Sequence, residues 1–381
     1  MKKNVLSILV SLFVITLCFG AAWAEEKVPD DLSECILPLA AGGPDDFGYR
    51  YIDSTEPGGP VYNWTEVAPP MGGTGTSVGI DCDDCYAGPF PIGFTFNFYG
   101  TDYTDFYVSS NGTVYFMNAY LGLGNVCGLP TGNGYGVNTF IAPFWDDLTV
   151  YSANGSQIYY GVQGTPGSRR LVIEYYHVDG FGCSGGDNST FEIVLNEGSN
   201  NVLMQYQDTT NGCRDNGSQA TIGIQGTDLT PPTWGLEYSC NASSLSSGLA
   251  ILFQKQPDLI VSYLPTATAG KVGGLIRRLS VKYRVMNQGT ANASASELDF
   301  YLSRDTALNA GDVYVGTVNI PALAPGVQAP LPYGVANFLL PTPASAIGAW
   351  KVLGVADANN DNAESDETNN VLSTGAVVMN K

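Results

Sequence analysis

Oxygen-bearing side chains crowd one stretch near the carboxyl terminus. Residues 357–367 read DANNDNAESDE and hold five carboxylates and three asparagines. Asp357, Asn359 and Asp361 alternate like the first ligands of an EF-hand loop, and Ca²⁺ prefers six to eight oxygens at ~2.4 Å. Glu364 or Glu367 would supply a further carboxylate. The spacing therefore predicts a calcium site in this loop, with calcium as the cofactor.

The same loop departs from an EF-hand in three ways. Asn362 stands where the sharp turn needs glycine, Thr368 stands where the bidentate glutamate belongs, and the flanking segments are predicted strands rather than helices. Asp305 and Asp312 would add ligands if the fold brought their acidic loop near. The alternative is a solvated turn whose Asx side chains bond their own backbone, and the sequence leaves both interpretations open.

Residues suited to catalysis are scarce elsewhere. The only histidine, His177, is predicted at the end of a strand over 171–176, where it is an ordinary surface residue. Residues 75–79 fit the G-x-S-x-G nucleophile elbow, but no helix is predicted after Ser77. Paired acids recur at 45–46, 83–84 and 146–147, yet neighbours along a strand point to opposite faces. We interpret Asp146 and Asp147 as a strand turning out of the core, with a ligand lip as the alternative.

The amino terminus is typical of a secretory signal peptide over residues 1–24, with two lysines, an apolar run and Ala22-Trp23-Ala24 as the cleavage signal. A lipid anchor on Cys18 is the competing interpretation, although Leu17 before it is large. Residues 25–44 form a lead without clear periodicity. We predict a secreted, extracellular or cell-surface protein without a membrane span.

Seven cysteines follow the predicted cleavage site, so at least one is unpaired. Strands predicted over 191–195 and 202–206 turn near Gly198, and Cys183 and Cys213 each lie fifteen residues from that turn. Antiparallel pairing then brings them within the ~6 Å that a disulfide needs. Cys82 and Cys85 have thioredoxin or zinc-knuckle spacing, but without a neighbouring histidine we interpret them as a loop bridge.

The pattern of short alternating strands and Gly, Asn or Asp turns predicts an all-β protein of two β-sandwich domains. We place an acidic domain over 45–255 and a second domain over 256–381, with about seven strands and an immunoglobulin-like sandwich. The chain has a net charge of −20, and residues 25–255 hold 26 acids against six bases. Such a surface repels phosphate backbones, which excludes nucleic acid as a partner class.

Two family resemblances agree with this division. The second domain resembles the bacterial cell-adhesion-related domain (CARDB) through Pro257-Asp258-Leu259, residues 285–291, 300–305 and 355–359, and residues 364–370. The first domain is similar to bacterial modules related to the nidogen extracellular domain, through residues 96–100, 108–112, 140–147 and 247–251. Both resemblances imply extracellular interaction rather than catalysis.

These observations predict a secreted, non-catalytic adhesion, matrix or surface-structural protein of a bacterium, stabilised by calcium. Its expected partner is an extracellular protein or glycan. The alternative is a secreted hydrolase or carbohydrate-binding protein with its site in the acidic first domain, where paired carboxylates are plentiful.

Overall fold

A computed structural model describes residues 41–131, 138–183, 188–227, 233–272, 276–340, 348–375 and 377–379. The predicted signal peptide, residues 25–40 of the lead, Cys18 and Cys35 lie outside these ranges. Strands dominate, with three short 3₁₀ turns at Pro69–Met71, Ser152–Asn154 and Asp215–Gly217. The predicted all-β class with two β-sandwich domains is confirmed. No helix within the described ranges is long and apolar enough to cross a membrane.

The first domain is built from fifteen strands within the described residues. They are β1 (Ala41–Gly42), β2 (Tyr49–Asp53), β3 (Thr76–Ser77), β4 (Tyr86–Phe98), β5 (Thr101–Ser109), β6 (Thr113–Tyr115), β7 (Phe140–Trp145), β8 (Leu148–Thr149), β9 (Gln157–Gln163), β10 (Arg170–Gly180), β11 (Ser189–Asn196), β12 (Val202–Asp208), β13 (Thr221–Gln225), β14 (Gly235–Cys240) and β15 (Ala250–Lys255). Nine of them form a large sheet in the order β1-β2-β15-β12-β11-β10-β9-β3, with β8 on β10. The other six form a second sheet in the order β14-β13-β7-β6-β5-β4.

Aromatic side chains fill the space between the two sheets. The largest fully buried side chains include Tyr49, Phe98, Phe144 and Phe191. Two buried tyrosines of the large sheet also donate hydrogen bonds to carbonyls of the facing sheet region: Tyr175 to Thr113 O at 2.9 Å and Tyr206 to Pro143 O at 2.7 Å. These bonds satisfy phenolic groups that would otherwise be buried unpaired.

Residues 61–68, which we call the strap, cover the outer face of the large sheet. Three side chains at paired positions on β10, β11 and β12 hold it: Glu174, Glu192 and Gln205. Glu174 Oε2 accepts bonds from the backbone N–H groups of residues 67 and 68, both at 3.0 Å. Glu192 Oε1 accepts from residue 65 at 3.3 Å, and Gln205 Oε1 from residue 63 at 2.7 Å. The strap thus satisfies its backbone donors on side chains rather than in a strand ladder.

The second domain contains nine strands within the described residues. They are β16 (Leu259–Tyr263), β17 (Thr268–Val272), β18 (Ile276–Asn287), β19 (Ser296–Ser303), β20 (Val313–Ile320), β21 (Gln328–Leu340), β22 (Gly348–Val355), β23 (Val371–Ser373) and β24 (Val377–Met379). One sheet has the order β16-β18-β17 with β21 on β18, and the other β20-β19-β22-β23 with β24 on β22.

The alternation in β18 and β19 positions the core of this second sandwich. Leu279, Val281 and Val285 are buried and face Leu298 and Phe300 in one hydrophobic cluster. The sequence predicts about seven strands here. The structure adds β17, and it divides the segment predicted over 371–378 into the separate strands β23 and β24.

Candidate functional site

Three carboxylates from distant parts of the first domain meet at one end of its sandwich. Asp83, Asp84 and Asp147 each place an oxygen within 4.8 Å of the others. Burial raises the pKa of Asp83 above its ordinary value, and the neighbouring charges of Asp84 and Asp147 raise it further. One oxygen of Asp83 is buried without a hydrogen-bond partner among the described residues. This arrangement of hard oxygen ligands could hold a metal ion.

Asn111 sets the distance between the two halves of this acidic cluster. Its Nδ2 donates to Asp84 at 2.9 Å, while its Oδ1 accepts from the backbone N–H of Leu148, next to Asp147, at 2.9 Å. Gly112 allows the turn to approach this closely, since it has φ +70° and an added Cβ would lie 1.9 Å from the carbonyl of Phe144. The Ser110-Asn111-Gly112 turn is therefore a positioning element of the acidic cluster.

The short disulfide loop Cys82–Cys85 carries Asp83 and Asp84 of the acidic cluster. The Cα atoms of the two cysteines are 6.2 Å apart. Ser110 ties the loop to the turn: its hydroxyl donates to the carbonyl of Asp83, and its backbone N–H donates to the carbonyl of Cys85 at 2.8 Å. The structure thus shows this cysteine pair as a loop bridge that presents two carboxylates.

Asp146 and Asp147 differ in environment although they are adjacent. Asp146 is buried and pairs with Arg214 at 2.5 Å, whereas Asp147 lies 3.8 Å from the same guanidinium. Burial raises the pKa of both carboxyls, and Arg214 opposes that shift in each. Asp146 therefore belongs to an internal ion pair at the end of β7, and Asp147 alone reaches the acidic cluster.

A cleft of about 630 Å³ lies beside the strands β8 and β10, and its lining residue Phe181 donates its backbone N–H to the carbonyl of Asp147 at 2.9 Å. Tyr151 and Phe181 line it with side chains that are 39% and 50% exposed. Asp179 accepts hydrogen bonds from Asn188 at 2.8 Å and Asn154 at 3.3 Å. Half-exposed rings beside a carboxylate and amides are the groups that contact sugars and peptides.

The residues considered for nucleophilic catalysis lie apart. His177 is not at a strand end: β10 continues to Gly180, and His177 lies in a bulge with φ +51°. Its ring stacks on Tyr176 at 3.9 Å. Ser77 ends the two-residue strand β3, is exposed and accepts a bond from Gly79 N–H at 3.0 Å. Within the described ranges no helix follows it, so the nucleophile elbow is not formed there.

The carboxylate oxygens of the loop 357–367 accept hydrogen bonds from backbone N–H groups of the loop itself and of β16. Asp357 is buried and accepts from the N–H groups of residues 361 and 362 at 3.2 and 2.9 Å. Glu364 accepts from Leu259 N–H, and Glu367 accepts from Glu364 N–H at 2.9 Å. Burial raises the pKa of Glu364 to about 8, with the nearby charge of Asp357 adding to the shift.

The other predicted ligands of that loop point outward. Asn359 is exposed and its Nδ2 donates to Glu297 at 2.6 Å, and Asp361 is exposed. Asp305 and Asp312 cap a separate turn, where Asp312 accepts from Asn309 N–H at 2.8 Å. The predicted calcium ligands are therefore distributed along an Asx-type turn.

The first domain carries three disulfides among its described residues. Cys183 and Cys213 are bonded, as their positions relative to the β11–β12 hairpin predict, with Cα atoms 5.4 Å apart. Cys127 bonds to Cys240 across 113 residues of sequence. The sequence does not predict the latter pairing, because Cys127 and Cys240 flank no common hairpin.

The fold defines a protein of two β-sandwich modules. The family model described as NIDO related matches residues 62–256, about half of the chain, and the chain belongs to that family. The CARDB family model matches residues 256–374. Both predicted resemblances are confirmed, and neither family is a catalytic one. The CARDB match indicates a surface or adhesion-type domain.

No curated protein matches the chain. Similar solved structures include beta-glucosidase 3B from Thermotoga neapolitana in complex with glucose, which is 14% identical with a TM-score of 0.18 over 31% of this chain and 16% of that one. A beta-glucuronidase of glycoside hydrolase family 2 is 10% identical with a TM-score of 0.24, over 59% of this chain and 24% of that one. This chain therefore spans less than a quarter of the length of those enzymes.

Proposed function

We propose that the protein is a secreted, non-catalytic adhesion or surface-structural protein of a bacterium. The observation that carries the proposal is the pair of interaction-type family matches, which together extend from residue 62 to residue 374. The three disulfides support an oxidising, extracellular location.

The ligand-binding end is proposed to be the cleft beside the acidic cluster, with an extracellular glycan or protein as partner. Phe181 and Tyr151 offer rings for stacking, and Asp179 offers a carboxylate held in place by two amides. Asp146 is occupied by Arg214, so it is not free to act as a general acid or base.

A binding and turnover screen of the full chain against glycans, peptides and esters tests this function. We expect binding without turnover, and at least about ten-fold weaker binding for Phe181→Ala. Val162→Ala, at another exposed apolar position (43% exposed), is the matched control. Turnover abolished by Asp147→Asn or Asp146→Asn would establish the hydrolase alternative instead.

Calcium stabilisation is the finer part of the proposal. The predicted ligands are Asp357, Asn359, Asp361, Glu364 and Glu367, and a bound ion would recruit the outward-facing oxygens of Asn359 and Asp361 to the buried ones. The density of carboxylates in this loop supports it, because a cation relieves their mutual repulsion.

A further inference from the structure

One sheet of the second domain has a charge opposite to the rest of the chain. The strands β16, β17, β18 and β21 contain no Asp or Glu in a chain with 36 acids. They contain five of its sixteen bases, namely Lys271, Arg277, Arg278, Lys282 and Arg284. A sheet that excludes every acid from so acidic a chain has a localised positive surface.

The described bases of this sheet are held by neutral groups. Arg278 Nε donates to Asn337 at 3.1 Å, and Lys282 Nζ lies 4.6 Å from the ring centre of Tyr333. Arg284 lies 5.5 Å from the ring centre of Tyr263 and donates to the carbonyl of Pro332 at 3.3 Å. The three ion pairs among the described residues all lie in the first domain. These cations are therefore oriented but not neutralised.

Apolar side chains share the same surface. Leu339 is paired with Arg278, and Val335 with Lys282, and directly paired residues lie on the same side of a sheet. Leu339 is 62% exposed and Val335 is 52% exposed. Uncompensated cations beside exposed aliphatic groups are typical of a surface that is covered by a partner.

We propose that this basic face, formed by Tyr263, Arg278, Lys282, Arg284, Val335 and Leu339, binds the acidic first domain of a second copy of this chain. The charge complement is present in the molecule itself, since residues 41–255 hold 21 acids against five bases. Association of this kind joins unlike surfaces, so it builds either a reciprocal dimer or an open chain of copies.

The two tyrosine rings at the basic face favour a protein rather than a sugar as its partner. Tyr263 and Tyr333 stack on each other at 5.7 Å, and each already has a cation against it. A pyranose needs a free ring face for stacking, whereas carboxylates need the cations that these rings orient. At physiological salt the net charge of −20 is screened beyond about 8 Å, so local complementarity governs the contact.

Sedimentation velocity of the full chain over a concentration series at physiological ionic strength tests the inference. We expect concentration-dependent association that weakens about ten-fold or more in Lys282→Glu and in Leu339→Ser. Lys351→Glu and Leu308→Ser are the matched controls, because they make the same changes outside the basic face. The melting temperature of each variant verifies folding. Cross-linking of isotope-labelled with unlabelled chains should join Lys282 to carboxylates of residues 41–255.

Several results would overturn the inference. The inference is wrong if the wild-type chain stays monomeric at every concentration. It is also wrong if the control variants weaken self-association as much as the variants of the basic face do. If an anionic polysaccharide binds in a Lys282-dependent manner while the chain remains monomeric, the basic face is a glycan-binding surface and not a site of self-association. This inference goes beyond the proposed function. The binding and turnover screen does not depend on self-association, so the two proposals can fail separately.

Discussion

The two domains use the same sandwich plan but are stabilised by different means. The first domain combines three disulfides, a large aromatic core and carboxylates buried under the strap. The second domain has no cysteine and a smaller, mainly aliphatic core. Both domains bury carboxyl groups, Glu174 and Glu192 in the first and Asp357 and Glu364 in the second, so the comparison teaches that the disulfides and the larger aromatic core, rather than buried acids, distinguish the first domain.

The largest expected effect is the loss of stability when the disulfide between Cys127 and Cys240 is removed. Replacing both Cys127 and Cys240 by serine should lower the free energy of unfolding of that domain by about 5 kcal/mol, because the bond closes 113 residues. Calorimetry of the full chain should show the unfolding transition of the first domain moving to lower temperature, while the transition of the second domain stays in place. The matched control replaces Cys82 and Cys85, which close only three residues and should cost about 1.5 kcal/mol. Equal losses in the two variants would contradict this account.

A second prediction concerns the pH dependence of the strap. Burial raises the pKa of Glu192 to about 8 and that of Glu174 to about 7. Glu66 lies near Glu174 and strengthens its shift, while Arg170 opposes the shift of Glu192. The surrounding tyrosines Tyr62, Tyr159 and Tyr176 stay neutral between pH 5 and pH 8, because burial raises their pKa values.

The sign follows from these raised values. A carboxyl whose pKa is higher in the folded state contributes its full stability below about 4.5, and loses it as the pH rises through 7 to 8. Raising the pH from 5 to 8 should therefore destabilise the first domain by about 3.5 kcal/mol through Glu192 alone. Hydrogen exchange of the N–H groups of residues 65, 67 and 68 should accelerate with it, beyond the intrinsic pH effect. Glu192→Gln should reduce this loss, and exposed Glu56→Gln should not. A first domain that gains stability over this range would exclude the mechanism.

The sequence predicts the fold far better than it predicts the sites. Strands such as β18 and β19 alternate along a half-buried sheet, so local pattern is enough to find them. The hairpin position of Cys183 and Cys213 likewise suggests their pairing. The acidic cluster needs Asn111 to join Asp84 to the residue after Asp147, and that contact depends on tertiary packing. Glu174 and Glu192 appear as ordinary outward strand positions, since only the overlying strap makes them buried.

The smallest effect, and the last comparison between the domains, is the response to calcium. We expect calcium at ten times its dissociation constant to raise the stability of the second domain by about 1.4 kcal/mol. The gain is small because Asp357 and Glu364 already accept backbone hydrogen bonds, so the ion has to compete with the turn. Calorimetry of the full chain separates the two domains by their transitions.

Two paired variants assign that response to a domain. Asp361→Asn, at an exposed position of the loop, should abolish the shift of the second transition without changing the fold. Asp84→Asn removes an exposed member of the first-domain cluster and should leave that shift intact. If the second transition is indifferent to millimolar calcium, the loop is a solvated turn. If only the first transition moves, and Asp84→Asn abolishes that movement, calcium binds at Asp83, Asp84 and Asp147, and the disulfide loop rather than the carboxyl-terminal loop is the metal-binding element of this protein.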